Sequence, residues 1–210
     1  MTLYRRGDRG AMVRQIQKAL KLYPDGIYGV ATEEAVRAFQ MQNGLKADGI
    51  VGPATLAKLL PARVKKSRRT IREIIIHCTA TQEGKEYTVE QIRADHKRQG
   101  WSDIGYHYVL SRAGSIHNGR DVDVIGAHCV GHNANSIGIC YVGGLENKPG
   151  VPYAKLKAKD TRTLRQKAAL LNLLMDLRKQ YPQAKIYGHH DFEPKKECPC
   201  FDAKSEYRDL

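Results

Sequence analysis

Residues 71–77 read Ile71-Arg72-Glu73-Ile74-Ile75-Ile76-His77, and residues 185–190 read Lys185-Ile186-Tyr187-Gly188-His189-His190. Each is a short run of β-branched or aromatic residues suited to a buried strand, and each delivers a histidine at its end. The chain between them alternates strand-like and helix-like segments. Thr88 with Gln91 forms a capping-box pattern opening a helix to about Arg98. Tyr106-His107-Tyr108-Val109-Leu110 reads as a strand that turns at Ala113-Gly114 into Ser115-Ile116-His117. Ser136 to Val142 is a second apolar strand closed by Gly143-Gly144. A long amphipathic helix is predicted from about Thr161 to Gln180, with Leu164, Ala168, Leu171 and Met175 on its inner stripe and Pro182 beyond its end. Alternation of this kind predicts an α/β domain over residues 71–210.

Upstream, the first 60 residues hold a repeat with a period of 23. Asp25-Gly26-Ile27-Tyr28-Gly29-Val30-Ala31-Thr32 recurs as Asp48-Gly49-Ile50-Val51-Gly52-Pro53-Ala54-Thr55. In each copy Asp-Gly suits a tight turn, an apolar residue plugs inward, and the second glycine is expected to take an unusual backbone angle. Thr is expected to cap the following helix, with Glu33-Glu34 at the positive end of the first. Apolar spacing at Val13, Ile16 and Leu20, at Ala35, Val36 and Phe39, and at Leu56, Leu59 and Leu60 predicts three short helices around a small core. Pro61 ends the last of them, and residues 61–70 then carry five Lys or Arg and no Asp or Glu. This stretch reads as a basic linker between two domains.

The 210-residue chain has a formal net charge of +13, and over a third of that excess lies in those ten residues. A basic balance favours polyanions, including anionic wall or outer-membrane polymers. No aromatic-basic motif for specific nucleic-acid recognition accompanies it. No run of about 18 to 20 apolar residues is present, so no membrane span is expected. The N-terminus lacks the apolar segment of a secretory signal, so the chain is expected to begin in the cytoplasm. Five cysteines, an odd number, argue for reduced thiols, with metal binding open to some of them.

Metal-ligand chemistry gathers at strand ends. His77 follows Ile74-Ile75-Ile76, His189 and His190 follow the second strand, and Cys198 lies in Lys195-Lys196-Glu197-Cys198-Pro199-Cys200. Two imidazoles and a thiolate make a zinc set with a fourth position open to water. Alternation splits Tyr106 from His107, His77 from Cys78 and His189 from His190, so one of each pair can face a shared site. Cys78, Cys129 and Cys140 read as small core residues, and His96 as a histidine outside the site.

Two resemblances add to this. Gly7 to Gly10, Val13, Gln17 and Leu20, both Asp-Gly repeats, and Ala35-Val36-Arg37-Ala38-Phe39-Gln40 before Gly44-Leu45 resemble the type 1 peptidoglycan-binding domains, which implies a three-helix wall-binding module over residues 1–60. Ile76-His77-Cys78-Thr79-Ala80-Thr81, Gly100-Trp101-Ser102-Asp103-Ile104-Gly105-Tyr106-His107-Tyr108, Asn135-Ser136-Ile137-Gly138, Gly188-His189-His190-Asp191 and Lys196-Glu197-Cys198-Pro199 resemble the type 2 N-acetylmuramoyl-L-alanine amidases, most of all those of bacteriophages. That resemblance implies a central mixed β-sheet flanked by helices and Zn2+ held by His77, His189 and Cys198. It also implies catalytic roles for Tyr106 and Lys196, and substrate contacts at His128 and Asn135. The loop from His189 to Cys198 is one residue longer than in the bacteriophage amidases, which keeps Lys195 as the alternative lysine. The implied activity is hydrolysis of the amide between N-acetylmuramic acid and the L-alanine of the stem peptide. The implied setting is an endolysin that waits in the host cytoplasm until lysis. A bacterial wall-remodelling amidase and a non-catalytic peptidoglycan receptor are the other readings of the same scaffold.

Overall fold

The computed structural model describes residues 3–59 and 64–210, and the chain divides into two compact units, Met1–Ala62 and Arg63–Leu210. The expected helix stop at Leu60 and Pro61, and Arg63 of the basic run, lie outside the described residues. In the first unit, α1 (Ala11–Ala19), α2 (Val30–Gln42) and α3 (Pro53–Leu59) enclose a core of Val13, Ile16, Tyr28, Val36, Val51 and Leu59. Tyr28 and Val51, equivalent residues of the repeat, are the inward plugs.

The threonines of the repeat do not cap helices. Gly29 stands at the N-cap of α2, with φ −91°, while Gly26 and Gly49 of the Asp-Gly turns take the positive φ angles, 80° and 72°. Thr32 and Thr55 are buried and accept hydrogen bonds from Gln17 and Gln40 Nε2, at 3.1 and 3.0 Å. The Oε1 atoms of the same glutamines accept from the Gly26 and Gly49 amides, at 2.8 and 2.9 Å. The repeat therefore extends to a glutamine eight residues before each Asp-Gly turn. Its amide satisfies the turn's buried backbone groups, which would otherwise destabilise so small a core.

Among the described residues the second unit has a five-stranded mixed sheet in the order β4-β3-β5-β1-β7, from β1 (Glu73–Cys78), β3 (Tyr108–Leu110), β4 (Ile116–Asn118), β5 (Ser136–Tyr141) and β7 (Lys185–Gly188). Only β3 and β4 run antiparallel; β3-β5, β5-β1 and β1-β7 are parallel. A separate parallel pair joins β2 (Thr81–Gln82) to β6 (Gly144–Leu145). Alternation sends Ile74, Ile76, Ile137, Ile139, Tyr108 and Leu110 into one cluster with the helices α5 (Leu164–Gln180) and α6 (Ala203–Glu206). The opposite face carries Ile75, His77, Gly138, Cys140 and Val109. At its β3 side Val109 packs with Val89 and Ile92 of α4 (Val89–Arg98). Capping boxes at Thr88/Gln91 and Thr163/Gln166 open α4 and α5.

The inner stripe of α5 differs from the expected one. Leu170, Leu173, Leu174 and Leu177 are buried with Gln166, whereas Leu164 is 86% exposed, and Leu171 and Met175 lie at 40% and 42%. The basic stretch also departs from a solvated linker. Ser67 is buried, Lys65 pairs with Asp121 and Asp123, and Arg68 pairs with Asp123. The half-buried Arg69 guanidinium donates to the carbonyls of Val122, Asn133, Ala134 and Ser136. From Val64 onward the segment is packed into the second unit.

Candidate metal centre and active site

The parallel strands β1 and β7 end side by side, with Ile76 opposite Gly188. His77 is the next residue of β1, on the face away from α5, and His189 opens the short turn His189–Asp191 directly after β7. Cys198 returns to the same edge, where the Cys78 amide donates to its sulfur at 3.2 Å. One donor atom each from His77, His189 and Cys198 lies within 4.8 Å of the others. The two rings are 4.5 Å apart, and His77 Nδ1 is 3.8 Å from Cys198 Sγ.

Each imidazole is held from its other side. His77 Nε2 meets His128 Nδ1 at 3.1 Å, and His189 Nε2 meets Glu193 Oε1 at 2.9 Å. Burial lowers the pKa of both, with the neighbouring His128, His189 and Lys196 adding to the effect at His77. Glu193 works the other way at His189. Both rings are therefore neutral at pH 7, the form that binds metal. Two neutral imidazoles and a thiol converging from a sheet edge, with a hydrogen-bonded partner behind each ring, fit a three-donor zinc site.

Tyr106, not His107, faces this cluster. Its ring centroid lies 5.2 Å from that of His77, and burial pushes its phenol well above the ordinary value, so it stays protonated. His107 turns to the backbone: Nδ1 accepts from the Gly138 amide at 2.9 Å and Nε2 reaches the Val124 carbonyl at 3.1 Å. Lys196 carries a half-exposed ammonium 3.2 Å from Glu193 Oε2, and its charge acts on both His77 and His189. His190 lines a surface hollow together with Lys196, Glu197 and Phe201. His96 is buried, accepting from the Gly105 amide through Nδ1 at 3.0 Å beneath Trp101. Cys78, Cys129 and Cys140 are buried free thiols.

His128, expected as a substrate contact, is buried directly beside His77. Its ring sits over Gly138, where a Cβ would come within 2.4 Å of it, and its Nε2 is 3.3 Å from Ser136 Oγ. Asn135 is not brought to the cluster. It is exposed and precedes β5, whose Ser136 pairs with Glu73 at the far end of β1 from His77. Its neighbour Asn133 shapes the site: Oδ1 accepts from the His128 and Cys129 amides at 2.8 and 2.9 Å. Asn133, Arg69 and Glu193 are supporting residues that sequence reasoning did not single out. Glu193 alone left a local signal, the four-residue spacing from His189.

A sequence model of N-acetylmuramoyl-L-alanine amidases matches residues 67–201. The chain belongs to this family. A second model, of a peptidoglycan binding domain, matches residues 9–59. The endolysin of Klebsiella phage KP32 is 42% identical over 137 residues, covering 65% of this chain and 85% of the phage protein. The endolysin of Escherichia phage T7 is 41% identical over 144 residues, 68% and 90% of the two chains. Among solved structures, the endolysin amidase LysCS from Clostridium intestinale URNW superposes with a TM-score of 0.54 at 26% identity, covering 67% of this chain and 85% of that one. The wild-type Drosophila protein PGRP-LB shares the fold, with a TM-score of 0.54 at 24% identity over 70% of this amidase and 84% of its own chain. The amidase is a peptidoglycan hydrolase of the endolysin type, and among its described residues no helix is long and apolar enough to cross a membrane.

Proposed function

We propose that the amidase cleaves the bond between N-acetylmuramic acid and L-alanine as a zinc enzyme, with His77, His189 and Cys198 as the metal ligands. The observation that carries this reading is the convergence of those three donors at one sheet edge, within 4.8 Å of each other, in a chain of this family. Zinc bound there supplies Lewis acidity and brings the pKa of a water down to about 7. The chain's own residues do the rest. Tyr106, protonated and beside His77, orients the attacking water and the scissile carbonyl through its hydroxyl. Lys196 places a positive charge where the carbonyl oxygen becomes an oxyanion, a contribution that grows as substrate displaces solvent from the cleft. His128 holds the His77 ring through Nε2, leaving Nδ1 toward Cys198. The proton given up by the attacking water is the one the departing amine needs, so the step balances within the site, with Tyr106 and Lys196 along its path and each in its original protonation state at the end.

Residues 1–60 act as the wall-binding module, and residues 71–210 carry catalysis. Most of the charge at Lys65, Arg68 and Arg69 is engaged within the second unit, which leaves Lys66, among the described residues of that stretch, best placed for anionic wall polymers. The setting is that of a lysis enzyme reaching peptidoglycan from the cytoplasmic side, as befits a relative of phage endolysins.

Digestion of purified peptidoglycan with and without chelator, read by mass spectrometry, tests this. Free stem peptides beginning with L-alanine, lost with chelator and restored by zinc, are expected. Intact muramyl-peptide bonds despite bound zinc would instead make the protein a receptor.

A further inference from the structure

Glu193 joins the two halves of the site, the metal ligands and the catalytic lysine, although the reaction as described gives it no direct part. Its carboxylate oxygens go to different partners: Oε1 lies 2.9 Å from His189 Nε2, and Oε2 lies 3.2 Å from Lys196 Nζ. Local backbone geometry produces this fork. The Phe192 and Glu193 amides both donate to the His189 carbonyl, and the Lys196 amide donates to the Glu193 carbonyl at 2.9 Å. Residues 189–196 thus coil so that positions 189, 193 and 196 share one side.

Among the described residues the converging donors are His77, His189 and Cys198, and Glu193 stands outside that group. By engaging Nε2 it leaves Nδ1 as the His189 nitrogen available to the cluster. A carboxylate accepting the far N–H of a ligating imidazole sets its tautomer, fixes its plane and raises its basicity. The second oxygen restrains a lysine that would otherwise sample many rotamers on a four-carbon stem.

We propose that Glu193 is a positioning residue that couples metal retention to turnover by orienting His189 with one oxygen and Lys196 with the other. The proposal rests on the zinc-amidase reading above. As an exposed ion pair the Glu193–Lys196 contact adds little stability, so its consequence is geometric.

The test uses the full chain loaded with zinc, and the variants Glu193→Ala and Glu193→Gln. Zinc retention is read by competition with a chromogenic chelator, and kcat and KM are read on solubilised peptidoglycan fragments in excess zinc. Glu193→Ala should release zinc about 10–100-fold more readily, the usual cost of losing such a partner. It should also lose kcat with KM little changed. Glu193→Gln, which can still accept the imidazole N–H but carries no charge for Lys196, should hold zinc nearly as well as the wild type yet still lose kcat. That loss should not add to the loss in Lys196→Ala. Wild-type zinc retention and kcat in both variants, with unchanged circular dichroism, would overturn the proposal. So would a loss of zinc alone, with kcat restored in excess metal. If the alanine variant does not fold, the glutamine variant decides by its split between retained zinc and lost kcat. A wild-type protein that binds no zinc would sink the zinc reading itself, a result visible before any variant is made.

Discussion

At the scale of the residue, the site works by giving each reactive group a second contact. His77 has His128, His189 has Glu193, and Cys198 has the Cys78 amide. Two substitutions separate binding metal from using it. Cys198→Ala removes a donor and should lose zinc and activity together. Lys196→Ala should leave zinc in place and lower kcat by roughly 100-fold or more, the usual magnitude for one oxyanion donor. Metal analysis beside steady-state kinetics checks both, and full turnover in Lys196→Ala would remove the lysine from the mechanism. Gly138→Ala probes the floor of the site. Its Cβ would stand 2.4 Å from the His128 ring, against side-chain atoms locked between His77 and Ser136. Overpacking of this kind costs about 1–3 kcal/mol. A fall in the urea midpoint together with weaker zinc retention is expected, and an unchanged protein would show that His128 moves freely.

At the scale of the element, α5 is the clearest case of a helix whose inner face its own sequence leaves open. Its apolar residues occupy both the stripe 164/168/171/175 and the stripe 170/173/174/177, so periodicity offers two answers. The sheet chooses the second, because Leu170, Leu174 and Leu177 fill the space above Ile74, Ile76 and Ile137. Leu174→Ala should therefore cost about 2–5 kcal/mol as a buried cavity. Leu164→Ala, on the exposed face, should stay within about 0.5 kcal/mol. Chemical denaturation of the two variants distinguishes the stripes, and equal destabilisation would contradict this packing. The first unit gives the same lesson in miniature. Its threonines look like caps because they open an apolar helical pattern, but the glutamine that bonds them comes from 15 residues upstream.

At the scale of the whole molecule, the second unit buries several histidines uncharged, and this sets a pH dependence. Burial presses His107 down to about 4, and it also lowers His77 and His128 well below the ordinary value. The unfolded chain takes up a proton on each near pH 6.5, whereas the fold resists. Stability is therefore complete above about pH 6.5 and declines as pH falls toward about 4, where His107 protonates in the fold as well. His107 alone would contribute up to roughly 3 kcal/mol to that decline. Denaturant midpoints of metal-free protein at pH 7.5 and pH 5 check the sign: the lower pH should give the lower midpoint. A flat profile would mean that these rings are not held neutral.

The sequence by itself determined the composition of the site and the existence of its scaffold. Strand-forming runs that end in histidine, a cysteine after a short loop, two capping boxes and an Asp-Gly repeat are all local patterns, and local patterns are what backbone propensity and side-chain periodicity make readable. Tertiary structure decided the rest, because it depends on contacts between distant segments. The register of β1 against β7 brought His189 instead of His190 beside His77, and the chain just ahead of β3, outside the ladder and out of step with Tyr108, turned Tyr106 inward and His107 to the backbone. The β1–β5 register left Asn135 at the other end of β1 from His77, while Asn133 Oδ1 accepts from the His128 amide. Arg69 read as linker charge until the carbonyls of residues 122 to 136 closed around it. A charge run looks alike whether water or folded backbone satisfies it, and only the folded chain supplies the acceptors.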